Sequence, residues 1–335
     1  MTCKTKLAGQ MESAGAHARL DGACKRLLSN KIILAWILKS TVEEFKEYDV
    51  DEIAGRYIEG EPAVARSAVH QDEGGMTGGS IRGDDTVHKT IAEGTVTFDI
   101  RFRAVIPRGG ERITLILNVE AQNDFYPGYP LVKRGIYYCC RMVSGQHGTE
   151  FTGSGYEGIK KVYSIWICIN PPRDRENTIT KYEMTETNIK GKVREPVENY
   201  DILTTVMICL GGEAGEDQEG ALKLLSVLLS PQLEVLEKKE QLEKEFGIPM
   251  TRDLEEEVTE MCNYSKGIEE RGIQKGIGLG IEQGIEQGIS LGIEKGMLLA
   301  LCSLVKDGLL TPKDAAARMN LTEDEFIEKM REAGA

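Results

Sequence analysis

The chain has 335 residues and a mass of 37.0 kDa, with 41% hydrophobic and 28% charged residues. This excludes a chain disordered throughout, a collagen and a disulfide-stapled miniprotein, and the length exceeds what one average domain of about 100–200 residues needs. The formal net charge of −13 at first opposes a nucleic-acid partner. Its distribution matters more: residues 1–80 sum to −2, residues 81–200 to +2 and residues 201–335 to −13. The middle of the chain therefore tolerates a phosphate backbone, and the asymmetry marks a boundary near residue 212.

No run approaches the ~18 consecutive apolar residues of a membrane span, the longest candidate being Ile32 to Leu38. The N-terminus lacks the apolar segment of a signal peptide, so the expected protein is cytoplasmic and has no membrane partner. The 8 cysteines form no Cys-x-x-Cys, and the 4 histidines lie far apart. A structural zinc site is not expected, and the cysteines read as reduced thiols. Vicinal Cys139 and Cys140 sit in an apolar helical run and read as packing.

In chain order, residues 1–25 lack periodicity and read as a loose leader. From Arg26 to Glu47 the apolar positions Leu27, Leu28, Ile32, Ile33, Ala35, Trp36 and Leu38 predict a helix. A short helix is expected from Val50 to Ile58, with Asp49 and Glu52 in a capping box. Residues 71–90, around Gly74, Gly75, Gly78 and Gly79, read as a loop. No Gly-Lys-Ser/Thr follows these glycines, so they are not a Walker A phosphate cradle.

Alternation predicts a strand from Thr95 to Val105 and a more apolar one from Arg112 to Glu120, joined through Pro107, Gly109 and Gly110 as a hairpin. After Tyr126-Pro-Gly-Tyr-Pro130 a helix is expected over Leu131 to Ser144. Lys161 to Ile169 is a near-continuous apolar run, as in a central strand buried on both faces. Further strands are expected over Thr178 to Met184 and Ile202 to Leu210. The order indicates an α/β or α+β core over residues 26–212.

Beyond residue 212 the pattern is helical: Gln218 to Leu229, Leu233 to Phe246 and Leu254 to Ile268, giving a helical linker region over 213–270. Residues 271–297 hold a four-residue repeat, Gly272-Ile, Gly276-Ile, Gly280-Ile, Gly284-Ile, Gly288-Ile, Gly292-Ile and Gly296-Met. Each Gly costs a helix about 1 kcal/mol relative to Ala. A period of 4 against 3.6 residues per turn makes the stripe drift by about 40° per repeat. The readings are a flexible spacer or an oligomerising helix; a spacer would not need an Ile in every unit, which favours a homo-oligomer through this repeat. Residues 298–335 read as a small helical assembly module, with N-caps at Thr311 and Thr322. A DNA-reading helix-turn-helix is disfavoured there, because Glu323, Asp324 and Glu325 would meet the phosphates.

The informative residues lie on the hairpin. Asp99 sits between Phe98 and Ile100, and Glu120 and Gln122 flank Ala121. A carboxylate among strand-interior apolar neighbours is expensive without a partner, and a second one nearby raises the cost unless a cation sits between them. Two acids converging from adjacent strands therefore predict a hard divalent cation, Mg²⁺ or Mn²⁺. The pleat puts Glu120 and Gln122 on one face and Ala121 on the other. Glu120 can thus bind metal while the Gln122 amide contacts water or phosphate.

The pattern Asp-x(20)-Glu-x-Gln on a hairpin, preceded by a helix and followed by Lys133-Arg-Gly-Ile-Tyr-Tyr-Cys-Cys-Arg141, resembles the PD-(D/E)XK nuclease superfamily. It is most similar to the branch of Rpn recombination-promoting nucleases and PD-(D/E)XK family transposases. Asn118-Val-Glu-Ala-Gln122, Arg134 with Tyr137 and Tyr138, Val162-Tyr-Ser-Ile-Trp166 and the C-terminal Gly-Ile repeats carry the likeness. The resemblance implies a restriction-endonuclease-like α/β core, a mixed sheet flanked by helices, followed by an all-helical C-terminal extension. It implies Asp99, Glu120 and Gln122 as catalytic residues, with Asp99, Glu120 and the Ala121 carbonyl as metal ligands. Gln122 stands where the superfamily has lysine, so it can orient water but cannot act as a base. Glu44 (or its neighbour Glu43) and Glu93 are candidates for an accessory acid, although Thr41 and Glu44 also fit a capping box, and Arg134 is a candidate phosphate clamp. The implied activity is Mg²⁺-dependent endonucleolytic hydrolysis of DNA, linked to recombination or mobile elements. The competing expectation is a catalytically silent protein of the same fold that serves assembly.

Overall fold

The computed structural model describes residues 18–65, 87–90, 94–108, 111–211 and 218–332. The chain divides into two compact units, Met1–Ile268 and Glu269–Ala335.

In the first unit the chain opens with helix α1 over 18–28, so the part of the expected loose leader that is described is ordered structure. Ala23, Cys24, Leu27 and Leu28 of α1 are buried in the main core. The single helix expected over Arg26 to Glu47 is split at Ser29 and Asn30. Asn30 is extended, and its side chain accepts a hydrogen bond from the Ile32 N–H at 3.0 Å, capping α2 (Lys31–Thr41). A short polar side chain that bonds its own backbone restarts a helix rather than continuing one. A 3₁₀ turn, Glu43–Phe45, follows, then α3 (Val50–Glu52) and a π-helical turn, Ile53–Tyr57. Neither expected capping box forms here. The Asp49 side chain makes no cap bond, Glu52 accepts instead from the Tyr57 hydroxyl, and the Thr41 hydroxyl donates back to the Ile37 carbonyl.

The sheet has six strands in the order β1-β4-β5-β6-β8-β7: β1 (Ile58–Val64), β4 (Ile100–Arg108), β5 (Glu111–Asp124), β6 (Val162–Asn170), β8 (Leu203–Cys209) and the edge strand β7 (Thr178–Glu183). The β5–β6 and β6–β8 pairs are parallel and the others antiparallel, so the sheet is mixed. The hairpin expected at residues 95–120 is present as β4–β5. Its first arm, however, is broken at Phe98 and Asp99. Gly94–Thr97 forms β3, which pairs with β2 (Val87–Thr90) in a separate two-stranded ladder. Strand β2 lies within the stretch expected to be loop; residues 71–86 of that stretch lie outside the described residues.

Successive side chains of a strand face opposite sides, and the two faces are covered differently. Ile100, Phe102, Leu115, Leu117, Val119, Tyr163, Ile165, Ile167, Val206 and Ile208 meet α1, α2, α5 (Gly220–Leu229) and α6 (Val235–Phe246) in the main core. Ile116, Trp166, Cys168, Met207 and Cys209 meet α4 (Leu131–Ser144). Gly135 lets α4 approach closely: a Cβ there would stand 2.5 Å from Thr205 Cγ2 and 3.0 Å from the Trp166 indole nitrogen. Strand β6 is buried from Val162 to Cys168, as its apolar run predicts.

The region expected as a linker after residue 212 belongs to this unit. Leu224, Leu225, Leu228, Leu242, Phe246, Leu254 and Val258 are all in the main core. Among the described residues the acids after residue 212 are exposed or half-buried, while the buried stripes of α5, α6 and the start of α7 (Arg252–Lys306) continue the first unit's core. The division falls after Ile268 instead.

The Gly-Ile repeat is helical. It lies in α7, a helix of 55 residues. Ile273, Ile277, Ile281, Ile285, Ile289 and Ile293 are each more than half exposed. At Gly276, Gly280, Gly284, Gly288, Gly292 and Gly296 an added Cβ would meet nothing within 4 Å. Counting consecutive apolar residues understated this stretch, because glycine interrupts a run without adding polarity. By length and composition, Gly276–Lys306 is apolar enough to cross a membrane. It also carries Glu282, Glu286, Glu294 and Lys295, each costly in hydrocarbon. The second unit has its own small core, in which Leu301 and Cys302 of α7 meet Ala315 and Ala316 of α8 (Pro312–Arg318) and Phe326 of α9 (Glu323–Glu332). Both expected caps are made: the Thr311 hydroxyl accepts from Asp314 N–H, and Thr322 and Glu325 cap each other reciprocally.

Candidate active site

Register brings the two hairpin acids together. Ile100 pairs with Val119, so one step further Asp99 stands opposite Glu120, and directly opposed residues share a face. Their side chains interlock with the facing backbone. The Asp99 N–H donates to Glu120 Oε1 at 3.0 Å, and the Ala121 N–H donates to Asp99 Oδ2 at 3.2 Å. This exchange explains the break in the first arm, since a carboxylate, rather than a ladder carbonyl, takes the Asp99 N–H. Asn118, two residues before Glu120 and on the same face, donates its amide to Glu120 Oε1 at 2.9 Å.

Glu120 is buried and Asp99 half-buried. Glu120 is 4% exposed, and its carboxyl is pushed well above the usual carboxylate range, first by burial and then by the Asp99 charge. Asp99 is also raised, by burial first, against the opposing pull of Lys25. Two facing acids that each resist ionisation are the condition a bound cation relieves.

The cation in this structure comes from α1. Lys25 Nζ lies 2.8 Å from Asp99 Oδ1 and 2.6 Å from Asp21 Oδ2, and its side chain is 6% exposed. Burial opposes the charge on Lys25, but Asp99 and Asp21 outweigh it and raise the ammonium's pKa. Sequence reasoning missed Asp21 and Lys25. The available signal was their i, i+4 spacing beside the apolar positions Ala23, Cys24, Leu27 and Leu28, which together mark an amphipathic helix with one paired polar edge.

A second cation acts on Glu120 through its charge. Arg134 of α4 donates to the Tyr138 hydroxyl at 2.7 Å and to the Tyr129 hydroxyl at 2.7 Å. Its guanidinium lies 5.3 Å from the Trp166 ring centroid and 5.1 Å from that of Tyr138. Its charge offsets part of the upward shift of Glu120. The aromatic ring set holds the guanidinium in place, and Gly135 next to it sets the distance of α4 from the sheet.

The remaining expected residues fall as follows. Ala121 packs towards the main core, opposite Glu120, as the pleat predicts. Because a strand residue's N–H and C=O project to the same side, its carbonyl is directed towards Asp99 as well. Gln122 follows on β5, paired with Cys168, and is half-buried. Glu44 is not in this site. It accepts from the Tyr163 hydroxyl at 2.6 Å and pairs with Lys161 at 3.1 Å, while Lys161 also pairs with Asp201. Tyr163 stands three residues before Trp166, on the opposite face of the sheet, so Glu44 is directed to the main-core side. Glu43 pairs with Lys46 at 2.7 Å. Glu93 lies outside the described residues. Cys24 and Cys139 are buried thiols pushed up to about 12, chiefly by burial; Cys139 is packing, as expected, whereas Cys140, also expected to pack, lies on the exposed side of α4.

Among the described residues no three His, Cys, Asp or Glu side chains converge as a ready metal set. The donors at Asp99 and Glu120 nevertheless suit a hard ion, since Mg²⁺ is often held by one or two carboxylates plus water and substrate phosphate. One further feature fits. Asn118 Oδ1 is buried with no hydrogen-bond partner, leaving an acceptor open for an ion's water. Comparison of the chain with family models, curated proteins and solved structures found no match.

Proposed function

We propose that this chain is a metal-dependent DNA endonuclease of the PD-(D/E)XK type, acting in the cytoplasm in recombination or mobile-element processes. The observation that carries the reading is the interlocked Asp99–Glu120 pair, with Lys25 on Asp99 and the charge of Arg134 acting on Glu120. A nuclease needs such a set: two hard oxygens for Mg²⁺ or Mn²⁺, and fixed positive charge for the phosphate.

In this reading Asp99, Glu120 and the Ala121 carbonyl hold the ion. A divalent ion there supplies a more acidic water and neutralises charge on the phosphate. Asn118 orients Glu120 through its amide. Gln122, one pleat beyond Glu120, orients water by hydrogen bonding and carries no charge. Arg134 clamps a phosphate oxygen, preorganised by its tyrosine partners and by the Trp166 face. The exposed Gly-Ile face of α7 joins copies of the chain, so that two sites address two strands.

The test is nicking of supercoiled plasmid by purified full-length protein with Mg²⁺ or Mn²⁺, wild type beside Glu120→Gln. Cleavage by wild type and a loss of at least 100-fold in the variant is expected. Equal rates, or no cleavage by either, would remove the assignment. Assembly is tested by light-scattering mass of the full chain and of a double variant, Ile281→Glu with Ile289→Glu; an unchanged mass removes the repeat as the contact.

A second reading, a silent assembly protein of this fold, is favoured by one observation: Lys25 is paired with Asp99, as in a structural ion pair. Calorimetric titration with Mn²⁺ separates the two, because a scaffold has no reason to bind the ion through Asp99 and Glu120.

A further inference from the structure

We propose that Lys25 is a displaceable internal cation: it occupies the metal-binding side of Asp99 in the resting protein and, once a divalent ion takes that carboxylate, contacts the substrate phosphate. The inference rests on the nuclease reading above and assigns to Lys25 the positive charge that Gln122 cannot supply. The geometry has three parts. Lys25 Nζ sits 2.8 Å from Asp99 Oδ1, an oxygen that an incoming ion needs. Asp99 Oδ2 is engaged by the Ala121 N–H, so a cation approaching Asp99 competes with Lys25 for the other oxygen.

Asp21 supplies the second part. It holds Lys25 at 2.6 Å from one helical turn earlier, and residues at i and i+4 lie on one face of a helix. When Lys25 leaves Asp99 it keeps the Asp21 partner, so its ammonium stays beside whatever binds at Asp99. A phosphate oxygen on the ion then falls within reach of the ammonium's free N–H groups. Thirdly, the lysine's body is buried, with Ala23, Cys24, Leu27 and Leu28 of the same helix locked into the main core. Only the ammonium needs to move, and the helix does not.

This arrangement makes a prediction that a merely structural ion pair does not: removing the lysine tightens metal binding while slowing cleavage. The experiment titrates Mn²⁺ into full-length wild type, Lys25→Met and Lys25→Arg by calorimetry at one pH, and measures plasmid nicking by each at saturating Mn²⁺. Methionine keeps most of the apolar stem. Lys25→Met is expected to bind Mn²⁺ at least three-fold more tightly and to nick at least ten-fold more slowly. Lys25→Arg, which keeps the competing charge, is expected to bind no more tightly than wild type. Unchanged or weaker Mn²⁺ binding by Lys25→Met, with binding by wild type intact, overturns the inference and leaves the nuclease reading standing. Unchanged nicking overturns the phosphate contact. If no form binds Mn²⁺, the nuclease reading falls and this inference with it. Should Lys25→Met fail to fold, judged by a lost thermal transition, Lys25→Gln replaces it: Mn²⁺ binding at least three-fold tighter than wild type is expected, and unchanged or weaker binding overturns displacement.

Discussion

Two ionic clusters lie on one sheet, three residues apart along the strands and on opposite faces, and they differ in how their charges are satisfied. At the first, the Glu44 oxygens are taken by the Tyr163 hydroxyl and by Lys161, which also joins Asp201. At the second, Asp99 and Glu120 face each other, both driven towards protonation by burial, and Lys25 reaches only one of them directly. The first arrangement ties a 3₁₀ turn to the start of β6 and to the segment before β8, which suits a structural clasp. The second leaves two acids that a stronger cation would stabilise, which suits a site. Neither carboxylate count nor net charge distinguishes them; what does is that Lys161 touches both acids of the first cluster, whereas in the second Lys25 touches Asp99 and the other acid, Glu120, is held by backbone and amide N–H groups.

The largest expected effect is on activity. Glu120→Gln lowers plasmid nicking at least 100-fold, whereas Glu44→Gln leaves it within about three-fold; comparable losses in both would erase the distinction between the clusters. Next comes stability at the clasp. Lys161→Met strands two partly buried carboxylates and costs about 3 kcal/mol, as removal of one partner from a buried pair does. Denaturant melts measure it, and Mn²⁺ affinity is expected to stay unchanged. Gly135→Ala forces a Cβ against Thr205 and costs roughly 1–3 kcal/mol by overpacking; the same variant loosens Arg134 and lowers nicking more than its stability loss accounts for.

The smallest effect is a pH slope. Asp99 and Glu120 hold their protons to higher pH in the folded chain than in the unfolded one, where such groups titrate near 4. Between those unfolded values and the raised folded ones the native state binds more protons, so its stability falls as pH rises. Metal-free wild type should therefore melt a few degrees higher at pH 5.5 than at pH 8, and Glu120→Gln should flatten that difference. Identical slopes would mean that the pair is not the source.

Much of the fold was legible locally. The helix over Leu131 to Ser144 begins after a proline and presents one apolar stripe, and its observed bounds match the expected ones. The buried run of β6 and the caps at Thr311 and Thr322 were equally plain, because run length and cap chemistry act over a few residues. The candidate site was half legible. A carboxylate between Phe98 and Ile100, and another between Val119 and Ala121, are local anomalies that a single sequence exposes. Glu44, a candidate accessory acid or a capping residue by sequence, is neither, since it is held by Tyr163 and Lys161 from more than a hundred residues away. The stretch after residue 212 looked separate by charge and is not, because charge reports the surface and domain membership is decided by what is buried.

By itself, then, the order of residues determined the helices and strands, the hairpin that opposes residues 99 and 120, and the fact that two acids there would be costly to bury. Only the tertiary structure decided that α1 delivers Lys25 and Asp21 to Asp99, that α4 brings the Arg134 charge to act on Glu120, and that Glu44 goes elsewhere. The physical reason is range. Hydrogen-bond caps, turns and pleats are settled by near neighbours, whereas the balance of charge around a buried carboxylate depends on which distant helix the core packs beside it.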